Sequence, residues 1–219
     1  MTTFPSSPIL RKGGIVLIDP NSSKVLRIIA LQYNPDTLTR TLQVKGVGAE
    51  SGDRSEALRL KGPPVETIKL DAEIDLVDQS SVAIFDAKTT QPGLHPQLAA
   101  LETLIYPTSA KLESNNSLAQ AGTLEIAPME APLTLFIFGE SRILPVRLTE
   151  FSITEDAFDV ALNPIRAKVS LGMRVLSVDD LGFDHKGGNL FMNYLKQKEQ
   201  FARRNETGKL STLGIKGIP

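Results

Sequence analysis

The chain has 219 residues, 41% hydrophobic and 22% charged, which is enough to bury one sizeable core and argues against disorder. Its formal net charge of −1 excludes the strongly basic surface that general nucleic-acid binding requires. Cysteine is absent and only two histidines occur, which excludes disulfides, thiolate metal sites and cysteine nucleophiles. We therefore expect one main domain, no metal and no cofactor.

The first part of the chain predicts strands. Residues 15–18 and 25–33 flank a turn-rich segment of Asp, Pro, Asn and Ser, which predicts an opening β-hairpin. Residues 38–44 predict a third strand. Residues 45–62 are polar and carry glycines and charges of both signs. We expect them to form a loop that is poorly ordered in the free protein and becomes ordered on a neighbouring subunit in an assembly.

Two later segments alternate with a period of two residues, which is the signature of a strand with one buried face. In residues 66–76 the apolar row is Ile68, Leu70, Ala72, Ile74 and Leu76, and the charged row is Lys69, Asp71, Glu73 and Asp75. In residues 167–175 the apolar row is Ala167, Val169, Leu171, Met173 and Val175, and the polar row is Lys168, Ser170, Gly172 and Arg174. We expect the apolar rows to close a core and the polar rows to meet water or another copy of the chain.

Between these strands the period changes to that of a helix. Leu94, Leu98, Leu101 and Ile105 lie on one helical face, so residues 94–105 predict a helix of about three turns. Residues 108–132 predict a long connection. Residues 133–138 predict a strand covered on both faces, and a phase shift further along predicts a β-bulge near Glu150 in a long hairpin.

The last 35 residues differ in charge and pattern from the rest. Residues 186–219 contain seven Lys or Arg and two acidic residues, and a glycine pair before Asn189 predicts a break followed by a helix capped at Asn189. We divide the chain into a body, 1–184, and a basic extension, 185–219. The residues predicted to dock the extension on a partner are Leu190, Phe191, Tyr194, Leu195, Phe201, Arg203 and Arg204. The alternative is that the helix packs on its own body and only residues 205–219 reach outward.

No residue pattern indicates catalysis. His95 stands at a predicted helix start, and His185 next to Asp184 precedes the glycine pair, so exposure explains both better than a role as ligand or base. The chain has no calcium-loop, dinucleotide or phosphate-loop motif. We predict that the protein is not an enzyme.

Four blocks occur in an order typical of one family: residues 31–38 (LQYNPDTL), 64–75 (PVETIKLDAEID), 136–139 (FIFG) and 163–171 (NPIRAKVSL). Over about residues 12–181 the chain resembles the tube-type proteins of contractile injection systems, which are phage-tail-like particles. It is most similar to the baseplate members that initiate the inner tube. Phe138 and Asn163 replace the family's usual tryptophan and glycine. Residues 185–219 lack the LysM pattern of longer relatives, so no peptidoglycan-binding role is carried over.

The resemblance implies a fold and a function. The fold is mainly β with one or two helices, an antiparallel barrel or sandwich plus a C-terminal helical extension. Six copies would close into a ring that joins the central spike to the inner tube and initiates tube assembly. The candidates for the subunit interface or channel lining are Lys69, Asp71, Glu73, Asp75, Lys168 and Arg174. Expected partners are the spike or hub protein, the inner-tube protein, and baseplate wedge or sheath components.

The resemblance implies neither nucleic-acid binding nor insertion into a membrane. The polar start of the sequence predicts cytoplasmic synthesis without a signal peptide, followed by incorporation into the particle. Two other readings are open: the main inner-tube protein of the same particle, and a monomeric β-sandwich that captures a surface ligand. Main tube proteins tend to be shorter and to lack a distinct tail, so the basic extension favours the baseplate role.

Overall fold

The computed structural model describes residues 11–46, 59–76, 92–122, 131–204 and 208–218. The strands are β1 (Gly14–Ile18), β2 (Val25–Ala30), β3 (Leu38–Gln43), β4 (Val65–Asp75), β5 (Leu133–Ile137), β6 (Ile143–Phe158) and β7 (Pro164–Val175). The helices are α1 (His95–Glu102), α2 (Ser109–Gln120), α3 (Val178–Leu181) and α4 (Lys186–Arg204), with a 3₁₀ turn at Leu210–Leu213. The mainly β fold class is confirmed.

All seven strands form one antiparallel sheet in the order β2-β1-β5-β6-β7-β4-β3. The predicted opening hairpin is β1–β2, and the two alternating segments are β4 and β7, which are neighbours in the sheet. The register of β6 on β7 shifts between Leu148 and Glu150, so the predicted bulge is confirmed. Within the described part of the chain, β2 and β3 are the edge strands.

The apolar rows of β4 and β7 lie in the main core as expected, with Ile68, Val169 and Met173 inaccessible to solvent. Leu94, Leu98 and Leu101 place α1 in the same core. Most of the other apolar residues of this core lie on β1, β5, β6 and α4. The alternating pattern therefore identified the buried face of both long strands correctly.

Strand β5 is buried on both faces, which confirms its prediction. Phe136 belongs to the main core, whereas Leu133 and Leu135 alternate with it and form a second cluster with Ile18. Leu181 and Leu190, from the C-terminal helices, pack against this second cluster. The helices after the sheet therefore complete a core that the sheet cannot close alone.

One predicted connection is wrong. Residues 109–120 form helix α2, which begins with the Thr108 side chain accepting a hydrogen bond from the Lys111 amide. No residue of α2 is buried, and its two leucines, Leu112 and Leu118, are exposed. Because the helix packs no apolar face on the core, its sequence lacks the periodicity that reveals helices.

The predicted break before Asn189 is also wrong. Helix α4 begins at Lys186, so Gly187 and Gly188 lie inside its first turn, where the Gly187 amide donates to His185 Nδ1 at 3.1 Å. Both glycines are buried. Because they have no side chain, the helix can lie close to the preceding turn. A Cβ on Gly188 would stand 1.9 Å from the Gly182 carbonyl oxygen.

Residues 47–58 of the predicted loop lie outside the described residues. At its base, Gly46 bridges Leu60 and the Lys61 amide donates to the Lys45 carbonyl at 2.8 Å. None of the described helices combines the length and the apolar character that crossing a bilayer demands.

Gly188→Ala should destabilise the protein, although alanine normally stabilises a helix interior by about 1 kcal/mol relative to glycine. Overpacking against the Gly182 carbonyl should instead cost about 1–3 kcal/mol. Urea unfolding of the full chain measures the difference. Asn193→Ala, at an exposed position of α4, is the matched control and should be neutral or slightly stabilising. The same response from both variants would contradict the close packing of α3 and α4.

Candidate subunit interface

The charged rows of β4 and β7 lie side by side on the polar face of the sheet. The register places Asp71 opposite Ser170, Glu73 opposite Lys168, and Asp75 opposite Arg166. Side chains at such paired positions point to the same face and lie within reach of one another. An acidic strand and a basic strand are therefore neighbours in one subunit and complement each other there.

Five of the six residues predicted for the interface or channel lining form salt bridges inside their own chain. The pairs are Lys69–Glu150 at 2.6 Å, Asp71–Lys168 at 3.3 Å, Asp75–Arg166 at 2.9 Å and Arg174–Asp180 at 2.6 Å. Most of these side chains are substantially exposed, so each pair contributes only about 0–1 kcal/mol to folding. The face is polar and internally neutralised.

Asp71 lies at the centre of this face and contacts two side chains of β7. Its Oδ1 accepts a hydrogen bond from Ser170 Oγ at 2.6 Å while Lys168 approaches Oδ2. The hydrogen bond from Ser170, and then that from Lys168, hold the pKa of Asp71 below its usual value. Glu73, the sixth residue, forms no salt bridge with any described residue. It lines a polar cavity of about 450 Å³ together with Tyr33, Asp156 and Arg166.

The two edge strands of the sheet, β2 and β3, carry exposed apolar side chains. On β2 these are Val25, Leu26 and Ile28, the last of them 67% exposed, and on β3 Leu42 is exposed. Strand β2 pairs only with β1, and β3 only with the first half of β4, as far as the described residues extend. These two edges are the parts of the sheet that another chain could extend.

The predicted docking residues occupy two different environments. Phe191 and Tyr194 are buried in the main core, and Leu190 and Leu195 pack on the two clusters. Phe201 is 51% exposed, with the Arg204 guanidinium 5.9 Å from its ring centroid. Arg203 and Arg204 are also exposed. Four of the five apolar positions thus engage their own body, and Phe201, Arg203 and Arg204 form the accessible end of the helix.

A buried polar cluster, missed in the sequence, fixes α4 to the sheet. The Glu66 side chain is 4% exposed and accepts hydrogen bonds from Arg40 Nε at 2.7 Å, the Tyr194 hydroxyl at 3.1 Å and Lys198 Nζ at 3.0 Å. Arg40 also donates to the Tyr194 hydroxyl at 2.8 Å, and Lys198 lies over the Tyr194 ring. The available signal was that Glu66 is in phase with the apolar row of β4, so an acid at that position has to be buried and needs partners.

The pKa of Glu66 lies below its ordinary value. Burial is the largest single influence and raises the pKa, but the hydrogen bond and charge of Lys198, followed by those of Arg40, together outweigh it. A lowered pKa means that the ionised carboxylate stabilises the fold. This stabilisation is complete above the unfolded-state pKa and is lost as pH falls through the folded-state pKa.

Glu66→Gln should therefore remove part of the acid sensitivity of the protein. At neutral pH the free energy of unfolding of the variant should be about 1–3 kcal/mol lower than that of wild type. The reason is that Arg40 and Lys198 would then contact a neutral amide instead of a carboxylate. As the pH falls below the ordinary glutamate value of 4.5, wild type should lose stability more steeply than the variant. Urea unfolding across this range measures both slopes. Glu199→Gln, exposed on the same helix, is the control. If the free energy of unfolding fell with pH at the same rate in wild type and in Glu66→Gln, the cluster would not stabilise the fold through ionisation.

Each of the two histidines lies at the start of a helix. His95 is exposed at the start of α1, and His185 accepts the Gly187 amide hydrogen bond at the start of α4. Among the described residues, no group of three or more His, Cys, Asp or Glu side chains could hold a metal ion.

No protein-family model matches the chain, and no curated protein matches it. Solved structures with weak similarity to the chain include the following two. A chain in the tail of an empty GTA particle, computed with helical refinement and C6 symmetry, is 12% identical with a TM-score of 0.30, covering 75% of this chain and 90% of that one. A chain in the virion of a native gene transfer agent (GTA) particle is 11% identical with a TM-score of 0.28, covering 74% and 90%.

Proposed function

We propose that this chain is a structural subunit of a phage-tail-like particle. It forms a hexameric ring that joins the central spike to the inner tube and initiates tube assembly. The observation that carries this proposal is the linear seven-stranded sheet, whose two edge strands, β2 and β3, expose apolar side chains and, among the residues that the structure describes, pair on one side only. The sequence resemblance to tube-type proteins supports the same reading.

The edges explain why a ring would form. An open edge is an aggregation hazard in a monomer and is normally covered or paired. If the β2 edge of one copy meets the β3–β4 edge of the next, the contact is heterologous, and its repetition by rotation closes into a ring without free edges. The exposed Ile28 and Leu42 then become interface residues.

The polar face suits the inside of such a ring. The side chains of Lys69, Asp71, Glu73, Asp75, Lys168 and Arg174 lie on this face, and Ser152, Ser170 and Gly172 lie between them. Small polar residues and paired charges make a hydrated surface that carries no excess of one sign. Such a lining would let a cargo pass without strong binding.

The exposed end of α4 suits contact with a different component. Phe201, Arg203 and Arg204 lie together at the C-terminal end of the helix, beyond the part that packs on the sheet. An aromatic residue flanked by arginines is a frequent centre of protein–protein contacts. The partner would be an acidic surface of a baseplate wedge or sheath component, while the spike and the inner tube contact the two ends of the ring.

Ile28→Lys should abolish the ring and leave the fold intact, because a charge on an exposed edge strand opposes strand addition. Native mass spectrometry and sedimentation velocity measure the oligomeric state, and circular dichroism measures folding. Leu112→Lys, an equivalent change on the exposed face of α2, is the control and should assemble as wild type does. Normal hexamers from Ile28→Lys would exclude the β2 edge from the interface.

Reversing Asp71 and Glu73 to lysine should impair assembly while changing the free energy of unfolding by less than about 1 kcal/mol per lost pair. Charges at such positions set register and reject wrong partners more than they add affinity. The Asp71→Lys/Lys168→Asp exchange restores the pair within the chain and serves as the control. If the double lysine variant assembles like wild type, this face is only a solvated surface.

A further inference from the structure

The segment that joins β2 to β3 crosses from one end of the sheet to the other. Residues 31–37 leave β2, the edge strand at one end, and enter β3, the edge strand at the opposite end. This segment belongs to the first of the four sequence blocks, and the proposed ring gives it no role. Two of its side chains, those of Gln32 and Asn34, bind the main chain at both ends of the sheet.

The Gln32 side-chain amide takes the place of a strand residue beside β4. Its Nε2 donates to the Asp75 carbonyl at 2.8 Å, and its Oε1 accepts a hydrogen bond from the Asp75 amide at 2.9 Å. Two residues directly opposite each other in an antiparallel pair exchange hydrogen bonds in this way. Strand β3 pairs with residues 65–70 of β4, so Gln32 binds β4 beyond the end of β3.

The Asn34 side-chain amide makes the same kind of contact at the other end of the sheet. Its Oδ1 accepts a hydrogen bond from the Gly13 amide at 2.9 Å, and its Nδ2 donates to the Arg11 carbonyl at 2.8 Å, immediately before β1. Pro35 restricts the backbone of Asn34 to extended conformations, which limits the positions that this side chain can take. We call Gln32 and Asn34, with the main-chain groups that they bind, the amide latch.

The amide latch requires the sheet to curl. Five steps in the strand order separate β2 from β4, which would amount to about 24 Å in a flat sheet. Gln32 lies only two residues beyond the end of β2 at Ala30, and its side chain nevertheless reaches Asp75. The two ends of the sheet therefore approach each other at this corner, although β2 and β3 form no strand pair with each other in the part of the chain that the structure describes.

Close packing does not fix the separation of the two sheet ends at this corner. A mostly apolar cavity of about 390 Å³ lies beside the latch, between residues 28–32, helix α1, and Ala72 and Ile74 of β4. Arg27 of β2 donates to the Ala100 carbonyl at 3.2 Å, which ties β2 to α1 and not to β4. Close-packed side chains resist displacement, whereas a cavity offers no such resistance. The hydrogen bonds of the latch therefore determine how far apart the two ends lie.

We propose that Gln32 and Asn34 are positioning residues for ring closure: by holding the two ends of the sheet together, they fix the angle between the β2 edge and the β3 edge. The proposal rests on the proposed function, in which these two edges meet in neighbouring copies. Each subunit turns by about 60° in a ring of six copies and by about 51° in a ring of seven, so a flexibility of about 9° within one subunit permits both. The amide latch restricts that flexibility and thereby selects one ring size.

Both positions of the latch use the dual character of an amide, which donates through its nitrogen and accepts through its oxygen. A carboxylate of the same shape accepts hydrogen bonds but cannot donate one when ionised. Gln32→Glu would therefore place a negative charge against the Asp75 carbonyl, and Asn34→Asp would do the same at the Arg11 carbonyl. These two changes open the latch with almost no change of side-chain volume.

Spin labels on the two edges test whether the latch fixes them, since the chain has no cysteine of its own. Val25→Cys on β2 and Leu42→Cys on β3 are introduced together into the full chain, labelled, and diluted with unlabelled protein so that the measured distances lie within one chain. The otherwise wild-type protein should give a single narrow distance distribution by pulsed electron paramagnetic resonance. Adding Gln32→Glu and Asn34→Asp should broaden it at least about twofold, because the two edges then move independently. An unchanged distribution would overturn the proposal.

The matched control is Gln120→Glu with Asn115→Asp, which makes the same chemical changes on the exposed helix α2 and should leave the distribution narrow. Equal broadening by this control would overturn the proposal. Gln32→Glu alone is the milder variant, because it keeps an acceptor for the Asp75 amide and the whole Asn34 contact. It should stay folded and broaden the distribution in the same way, so loss of folding in the double variant does not remove the test.

Native mass spectrometry of the unlabelled chains reports the ring size separately. Gln32→Glu should form rings of several sizes or open chains, where wild type forms one size. Gly188→Ala, which should destabilise the fold away from the latch, is the control for stability and should keep the wild-type ring size. One wild-type ring size from Gln32→Glu would overturn the role in ring closure. Absence of rings from wild type would instead contradict the proposed function, and with it that role, even where the spin labels show that the latch fixes the edges.

Discussion

The structure depends on the pairing of β4 with β7 in a single register. The side chains of a strand alternate between its two faces, so a slip of one residue would exchange the apolar row of β4 for its charged row. In the observed register Ile68, Leu70 and Ala72 face the core, and Asp71 meets Lys168 and Ser170 on the other side. The same pairing thus produces the core and the neutral polar face.

This alternation explains why most of the sheet could be predicted from the sequence. A strand with one buried face has a regular two-residue period, and β4, β7 and the phase shift at the β6 bulge all carry that signal. Helix α1 carries the helical equivalent in Leu94, Leu98 and Leu101. Elements that bury one whole face in the core can therefore be recognised from the periodicity of their apolar residues.

The elements that were missed lack this signal for physical reasons. Helix α2 buries no residue, so only its N-cap, Thr108, distinguishes it from a polar loop. The start of α4 was misplaced because glycines usually interrupt helices, whereas Gly187 and Gly188 are required by the close approach of α3. The Glu66 cluster joins residues far apart in the sequence, from β3, β4 and α4, and no local pattern shows which cations lie near a buried acid.

The same cluster changes how the C-terminal extension is understood. Tyr194 and Lys198 bind Glu66 on the sheet, and Phe191 lies in the core, so most of α4 belongs to the body of the protein. The body then presents the two sheet edges and the end of α4 around Phe201 as separate surfaces. A cryo-EM map of the purified parent particle tests this account most directly. We predict a sixfold ring in which β2 of each copy meets the β3–β4 edge of the next and the face bearing Asp71 and Lys168 lines the channel. A map in which this chain lies outside the axial channel, or keeps its sheet edges unpaired within a ring, would contradict it.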